Sequence, residues 1–191
     1  MVRGLSVQIL DREIPYTGAE LRSHWGLEQT GVYGSLLTAF IGPCEVPTAH
    51  LVDMEDRLAH DFIRAERMLH VIGEFFGPNL EAGVLYKRLL IVWAETLLRQ
   101  AGLPDVRRSG DDLFSGKRKM SVSIATVSPV SVLIHWGINL KSAGAPVEAV
   151  GLQDLGWDKS QVLGFAKNLL NYYSQELEEI HVAQCKVRPT K

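Results

Sequence analysis

The sequence predicts an α+β domain, a mixed or antiparallel sheet covered by helices. Three observations lead there. Two stretches late in the chain form strands joined by a turn signal. Others carry apolar residues at steps of three and four. No strand–helix–strand rhythm of a doubly wound parallel sheet repeats along the chain. Gly and Pro are scattered rather than gathered into a linker, so the 191 residues read as a single domain, 1–191.

The elements follow in order. Val2–Leu10 is a short β-like start, and Thr17-Gly-Ala-Glu20 has the spacing of a capping box, which predicts a helix running through Trp25. Gly34–Ile41 is apolar and bounded by glycine, as a buried strand is. From Leu51 to Phe76, the residues Leu51, Met54, Leu58, Phe62, Ala65, Leu69, Ile72 and Phe76 form one stripe, which predicts a long helix stopped by Gly77-Pro78. Asn79 caps a second helix through about Gln100. Lys117–Val127 alternates, with Met120, Val122, Ile124 and Thr126 assigned to one face. Ser128-Pro129 turns it into an antiparallel partner, Val130–Leu140. Asp158 with Gln161 opens a last helix whose stripe is Val162, Phe165, Leu169, Tyr173, Leu177 and Ile180.

Composition narrows the functional classes. Twenty Lys and Arg against 22 Asp and Glu give a net charge of −2, which removes a whole-protein electrostatic case for nucleic acid or an anionic membrane. The longest apolar stretches fall short of the ~20 residues that span a bilayer. Two cysteines are too few for a disulfide framework and, with no signal peptide at the start, the expected location is cytoplasmic. Apolar stripes and a strand edge admit a homodimer, the commonest closed assembly.

The charges are not spread evenly. Arg107, Arg108, Asp111, Asp112, Lys117, Arg118 and Lys119 crowd into 13 residues beside two apolar strands. An Asp pair after a glycine can hold a hard cation such as Mg²⁺, and a strand lysine suits a phosphate or a developing oxyanion. A hairpin turn dressed in solvated charges would read the same way. No aromatic set interleaves with the cations, so nucleic-acid binding is the weaker reading. Asp53, Glu55 and Asp56, following His50, are accounted for by the positive end of a helix, and no HExxH or paired CxxC spacing points to a metal. His24 and Trp25 read as a surface residue and a core residue.

Gly110-Asp111-Asp112-Leu113, a turn with Gly116, Lys119, and then His135-Trp136-Gly137-Ile138-Asn139-Leu140 form an ordered series. It resembles the catalytic core of the biotin/lipoate protein ligase and octanoyltransferase superfamily, in which an Asn-Asp segment and a glycine turn precede a catalytic lysine and a Gly-Ile-Asn strand. Over most of its length, from Tyr16-Thr-Gly-Ala-Glu-Leu through Gly42-Pro43-Cys44 and Ser121–Thr126 to Gly151-Leu152, the chain also resembles the domain of unknown function 366.

The resemblance implies a groove bounded by Gly42–His50, Asp111-Asp112, Lys119 and His135–Asn139, binding a small carboxylate or nucleotide-like ligand. In an enzymatic version, acyl or adenylyl transfer, Lys119 would stabilise negative charge. Asp112 would hold Mg²⁺ or orient a hydroxyl, and Cys44 or the acceptor would supply the nucleophile. Gly42, Glu45, Arg108, Asp111, Ser121, His135 and Asn139 would contact the ligand, with ATP and Mg²⁺ admitted as cofactors. The departures are as definite. The arginine- and glycine-rich adenylate loop is missing, and Val150 stands where an octanoyltransferase keeps its cysteine. Cys44 also reads simply as a small buried residue. The competing expectation is a non-catalytic ligand-binding or assembly module that lost the adenylate-binding loop.

Overall fold

The computed structural model describes residues 4–190. Five strands make the main sheet in the order β1-β2-β3-β8-β7, and three short ones, β4 (Val106–Ser109), β5 (Asp112–Ser115) and β6 (Arg118–Lys119), make a second sheet in the order β4-β5-β6. β1 (Ser6–Glu13) runs parallel to β2 (Leu36–Val46), whereas β2–β3, β3–β8 and β8–β7 are antiparallel. The sheet is therefore mixed, as the sequence predicts. Val2 and Arg3 of the expected first strand lie outside the described residues.

The long helix expected over Leu51–Phe76 is not formed. A single turn (Thr48–His50) and the five-residue α2 (Met54–Leu58) give way to the 13-residue strand β3 (Ile63–Phe75), which pairs with β2 on one side and β8 (Val132–Lys141) on the other. The physical reason is burial on both faces. From Met68 to Phe75 every residue is buried, and a mainly apolar stretch buried on both faces matches a helical stripe as readily as it fits a central strand. His60, at φ 57, breaks the chain between the two elements. The helix expected from Thr17 is likewise absent. Glu20 does accept hydrogen bonds from the Thr17 amide and hydroxyl, but the chain stays in turns until α1 (Trp25–Thr30).

The remaining elements match expectation. α3 (Leu80–Gln100) is capped by Asn79, whose side chain accepts from the Ala82 amide at 3.0 Å. β7 (Ser121–Val127) pairs antiparallel with β8. α4 (Lys159–Lys186) opens on a complete Asp158/Gln161 capping box, and its stripe is buried from Val162 to Leu177 while Ile180 is exposed.

Strand alternation separates two environments. Leu37, Ala39, Leu69, Val71, Ile134, Trp136 and Ile138 face α3 and α4 in one apolar core. Phe40, Met68, Ile72 and Leu133 face the other way, joined by Tyr16, Trp25, Cys44 and Leu51. His70, His135 and Asn139 share this second face by their register. Met120 departs from its expected stripe. It lies in the helix-side core while Val122 and Ile124 pack on the opposite side, because the chain leaves β6 (Arg118–Lys119) at Met120 before β7 begins.

Candidate functional site

On the sheet face opposite the helices, residues of the segment from Val46 to Ile63 line one side of a cavity of about 390 Å³. Its wall includes Tyr16, His50, Met68, Lys119, Val122 and His135, and the carboxylates of Asp53, Asp56, Asp61, Asp111 and Asp112 lie around it.

Lys119 is fixed by its main chain. Its amide donates to the Glu148 carbonyl at 2.9 Å, and its own carbonyl accepts from the Val150 amide at 3.0 Å and from Asn139 Nδ2 at 3.4 Å. A parallel bridge to Ala149 completes the attachment. The side chain forms an ion pair with Asp112, Nζ to Oδ2, at 2.9 Å across the β5–β6 hairpin, where β5 is Asp112–Ser115. Both partners are about one-quarter to one-third exposed. An ammonium has three protons, so this one carboxylate leaves donors for a ligand.

Asp111 is occupied differently. The buried Lys87 of α3 meets its Oδ2 at 2.6 Å, and Arg88 meets Oδ1 at 2.9 Å. Burial opposes ionisation here, but the bond and charge of Lys87, followed by the charge of Arg88, hold the Asp111 carboxyl below its ordinary range. Ser121 and Ser123 fasten this corner, the first accepting from the Leu113 amide and the second donating to the Asp111 carbonyl.

Tyr16 and His135 on the cavity wall are backed by a buried cluster of rings that includes His70 and Phe40. His70 Nε2 lies 3.3 Å from the Gly42 carbonyl, and His70 Nδ1 lies 3.1 Å from His135 Nε2. Tyr16 stacks on His135 with ring centroids 3.8 Å apart, and Phe40 stacks on His70. Burial keeps both imidazoles from protonating, pushing His70 down to about 3 and His135 well below its usual value. Gly42 is required at its bulge, since a Cβ there would sit 1.8 Å from the Ile14 carbonyl oxygen.

The sequence-predicted residues thus divide. Asp111, Asp112, Lys119, Ser121, His135 and Asn139 converge on the cavity. Cys44 does not. It is 1% exposed, packed in the core beside Tyr16 and Phe40, and burial, aided by the Glu20 charge, pushes its thiol up to about 12. That environment disfavours the thiolate a nucleophile needs. Glu45 points outward and pairs with Arg64 at 3.7 Å, and Arg108 is exposed, donating to the Gly110 carbonyl. Gly42 contributes its carbonyl to His70 and is not part of the wall.

Sequence reasoning missed Tyr16 and His70, and it read the acids at 53–56 as dipole partners of a long helix. Asp53 does cap α2, accepting from the Glu55 amide at 2.8 Å. Yet Asp53, Asp56 and Asp61 also border the cavity, where burial and then the Asp53 and Asp61 charges raise the proton affinity of Asp56. Reading Ile63–Phe75 as a strand would have exposed His70 as the only charged or polar residue between Met68 and Gly73.

A mixed sheet with two long helices on one face and an open, partly polar cavity on the other defines the class: a fold similar to the catalytic domains of biotin and lipoate protein ligases. A biotin protein ligase from Aquifex aeolicus, for instance, is 16% identical at a TM-score of 0.54, the match covering 91% of this chain and 71% of that one. By family the assignment is firm, for residues 5–188 match the model of the domain of unknown function DUF366, and the chain belongs to that family. A solved protein of unknown function from Pyrococcus horikoshi is 36% identical with a TM-score of 0.90 over 98% of this chain and 100% of that one. An uncharacterised protein of Methanocaldococcus jannaschii is 31% identical, the match covering 92% of this chain and 81% of that protein. Among the described residues, no helix is long and apolar enough to cross a membrane.

Proposed function

We propose that this protein binds a small organic acid or acyl compound in the cavity, with its carboxylate or carbonyl oxygen held by Lys119. The observation that carries the reading is the placement of Lys119, rigid in its main chain, on the cavity wall, and with ammonium protons to spare beyond its Asp112 partner. In an acyl-transfer version of the same reading, that fixed charge would stabilise the oxyanion that develops at the acyl carbon. The solved ligases of similar fold support the choice of ligand class by analogy only.

A nucleotide fits the residues less well. Five aspartates border the cavity against Arg64 and Lys119, and two of the five, Asp111 and Asp112, already have cationic partners. Asp53, Asp56 and Asp61 would face a triphosphate directly. The acidic rim and the buried Cys44 favour a second reading, binding without turnover.

The test is calorimetry with a panel of linear and aromatic carboxylic acids, on the wild type, Lys119→Ala and Lys119→Arg. Binding in the wild type that falls at least tenfold in Lys119→Ala and recovers in part in Lys119→Arg supports the reading, since a charged hydrogen bond is worth about 1.5–3 kcal/mol. Equal binding by wild type and Lys119→Ala refutes it. Incubation of a bound acid with acceptor amines and thiols then separates turnover from binding alone.

A further inference from the structure

The histidine pair contains more information than its burial. A neutral imidazole has one N–H and one acceptor nitrogen, and which is which follows from its partners. The Gly42 carbonyl can only accept, so His70 carries its proton on Nε2. His70 Nδ1 is then an acceptor, and the 3.1 Å contact requires His135 to donate from its Nε2. That leaves His135 Nδ1 unprotonated. Among the described residues it has no hydrogen-bond partner, on a ring that is 3% exposed, stacked under Tyr16, and part of the cavity wall.

We infer that His135 Nδ1 is a fixed hydrogen-bond acceptor that selects ligands carrying an N–H or O–H donor on a flat or apolar body, in the same cavity whose carboxylate end the Lys119 reading assigns. The neighbouring side chains suit that body. Tyr16 stacks on the ring, Ile124 is its register partner on β7, and Met68 and Val122 line the same cavity, all able to supply dispersion contacts. An acceptor with no protein partner penalises any ligand that covers it without a donor. Burial also stops the ring from protonating at neutral pH, so it cannot turn into a donor and admit the opposite pattern. Gly42 and His70 act at one remove, as positioning residues that set which nitrogen faces the ligand. Gly137 completes the arrangement, since a Cβ there would come within 3.3 Å of His135 Cε1 and 2.8 Å of Met68 Cε.

Two measurements decide the matter without depending on Lys119. In the ¹⁵N-histidine-labelled wild type at pH 7.5, long-range nitrogen–proton NMR correlations should show both His70 and His135 as neutral Nε2–H tautomers. An Nδ1–H form of His135 overturns the inference. Matched neutral probes then test selection: indole against N-methylindole, phenol against anisole, and 2-pyrrolidinone against N-methyl-2-pyrrolidinone. The donor member of at least one pair should bind about threefold to tenfold more tightly, the span of a neutral hydrogen bond. Its binding should shift the His135 Nδ1 resonance. That preference should persist in Lys119→Ala and vanish in His135→Phe. If no donor member binds more tightly than its methylated partner, or if His135→Phe keeps the preference, the inference fails. Loss of carboxylate binding in Lys119→Ala with the donor preference intact supports both readings. Failure of the Lys119 reading alone appears as carboxylate binding unaffected by Lys119→Ala.

Discussion

The two faces of the sheet are built from the same strands and serve different ends. Towards α3 and α4, alternate positions of β3 and β8 present Leu69, Val71, Ile134, Trp136 and Ile138, apolar without exception. On the other face, the intervening positions present His70, His135 and Asn139 among Met68, Ile72 and Leu133. A one-residue step along a strand therefore moves from a close-packed core to a cavity with polar atoms on its wall. The difference teaches that stability and recognition are separable here along single strands. Substitutions on one face should mainly change folding, and those on the other mainly binding.

The largest effect should come from the helix face. Trp136→Ala, at a position with no exposure, leaves a void costing about 3–5 kcal/mol and lowers the melting temperature by roughly 10 °C. Donor-probe binding measured well below that melting point should be retained. A comparable loss of binding affinity in the folded variant would break the separation.

Next is the pH response of the cavity face. His70 and His135 ordinarily titrate near 6.5 but bind protons far more weakly when folded, so below pH 6.5 the unfolded chain takes up more protons than the folded one. Stability is thus complete above 6.5 and is lost as pH falls below it, by about 1.4 kcal/mol per pH unit for each excluded proton. Asp111 and Asp154, whose proton affinities are lowered in the fold, add losses only around and below pH 4, and Asp56, raised, works in the opposite sense. Denaturant midpoints between pH 7.5 and 5 should show this slope, and His135→Phe should show about half of it. A flat profile would falsify the neutral pair.

A smaller effect is expected at the junction of the faces. Lys87→Met removes the ammonium that meets Asp111 but keeps the buried stem. The cost should be about 1–2 kcal/mol, reduced because Asp111 is itself over one-third exposed and retains Arg88. Chemical denaturation measures it. The smallest stability change belongs to Lys119→Ala, whose partly exposed ion pair is worth up to about 1 kcal/mol, or roughly 2–4 °C. A much larger fall would identify Lys119 as a structural strut and sharpen the comparison against its role in binding.

The helix face was also the more legible one in the sequence. α3 has its Asn79 cap, and α4 has a capping box and an apolar stripe, and each signal is local. The β7–β8 hairpin could be read from the Ser128-Pro129 turn, and the ordered run from Asp111 to Asn139 pointed to the cavity wall. What could not be read depends on partners distant in sequence. Ile63–Phe75 is a strand because β2 and β8 flank it, a fact absent from its own residues, and apolar spacing alone favoured a helix. His70 was lost with it. Glu20 makes its half of the capping box, accepting from the Thr17 amide, with no helix to cap, showing that part of a local motif can form without its usual continuation. Cys44, attractive as a loop thiol, is turned inward by a strand that extends to Val46.

The attachment of Lys119 has one more consequence. Its backbone is tied to Glu148, Val150 and Asn139 by bonds in which its own side chain takes no part. Position 119 is therefore a socket. Its occupant can be exchanged, by a mutagenist or by descent, without rebuilding the wall around it. A fluorescent or photoreactive amino acid installed there would report on the interior from a mount that the remainder of the fold holds still.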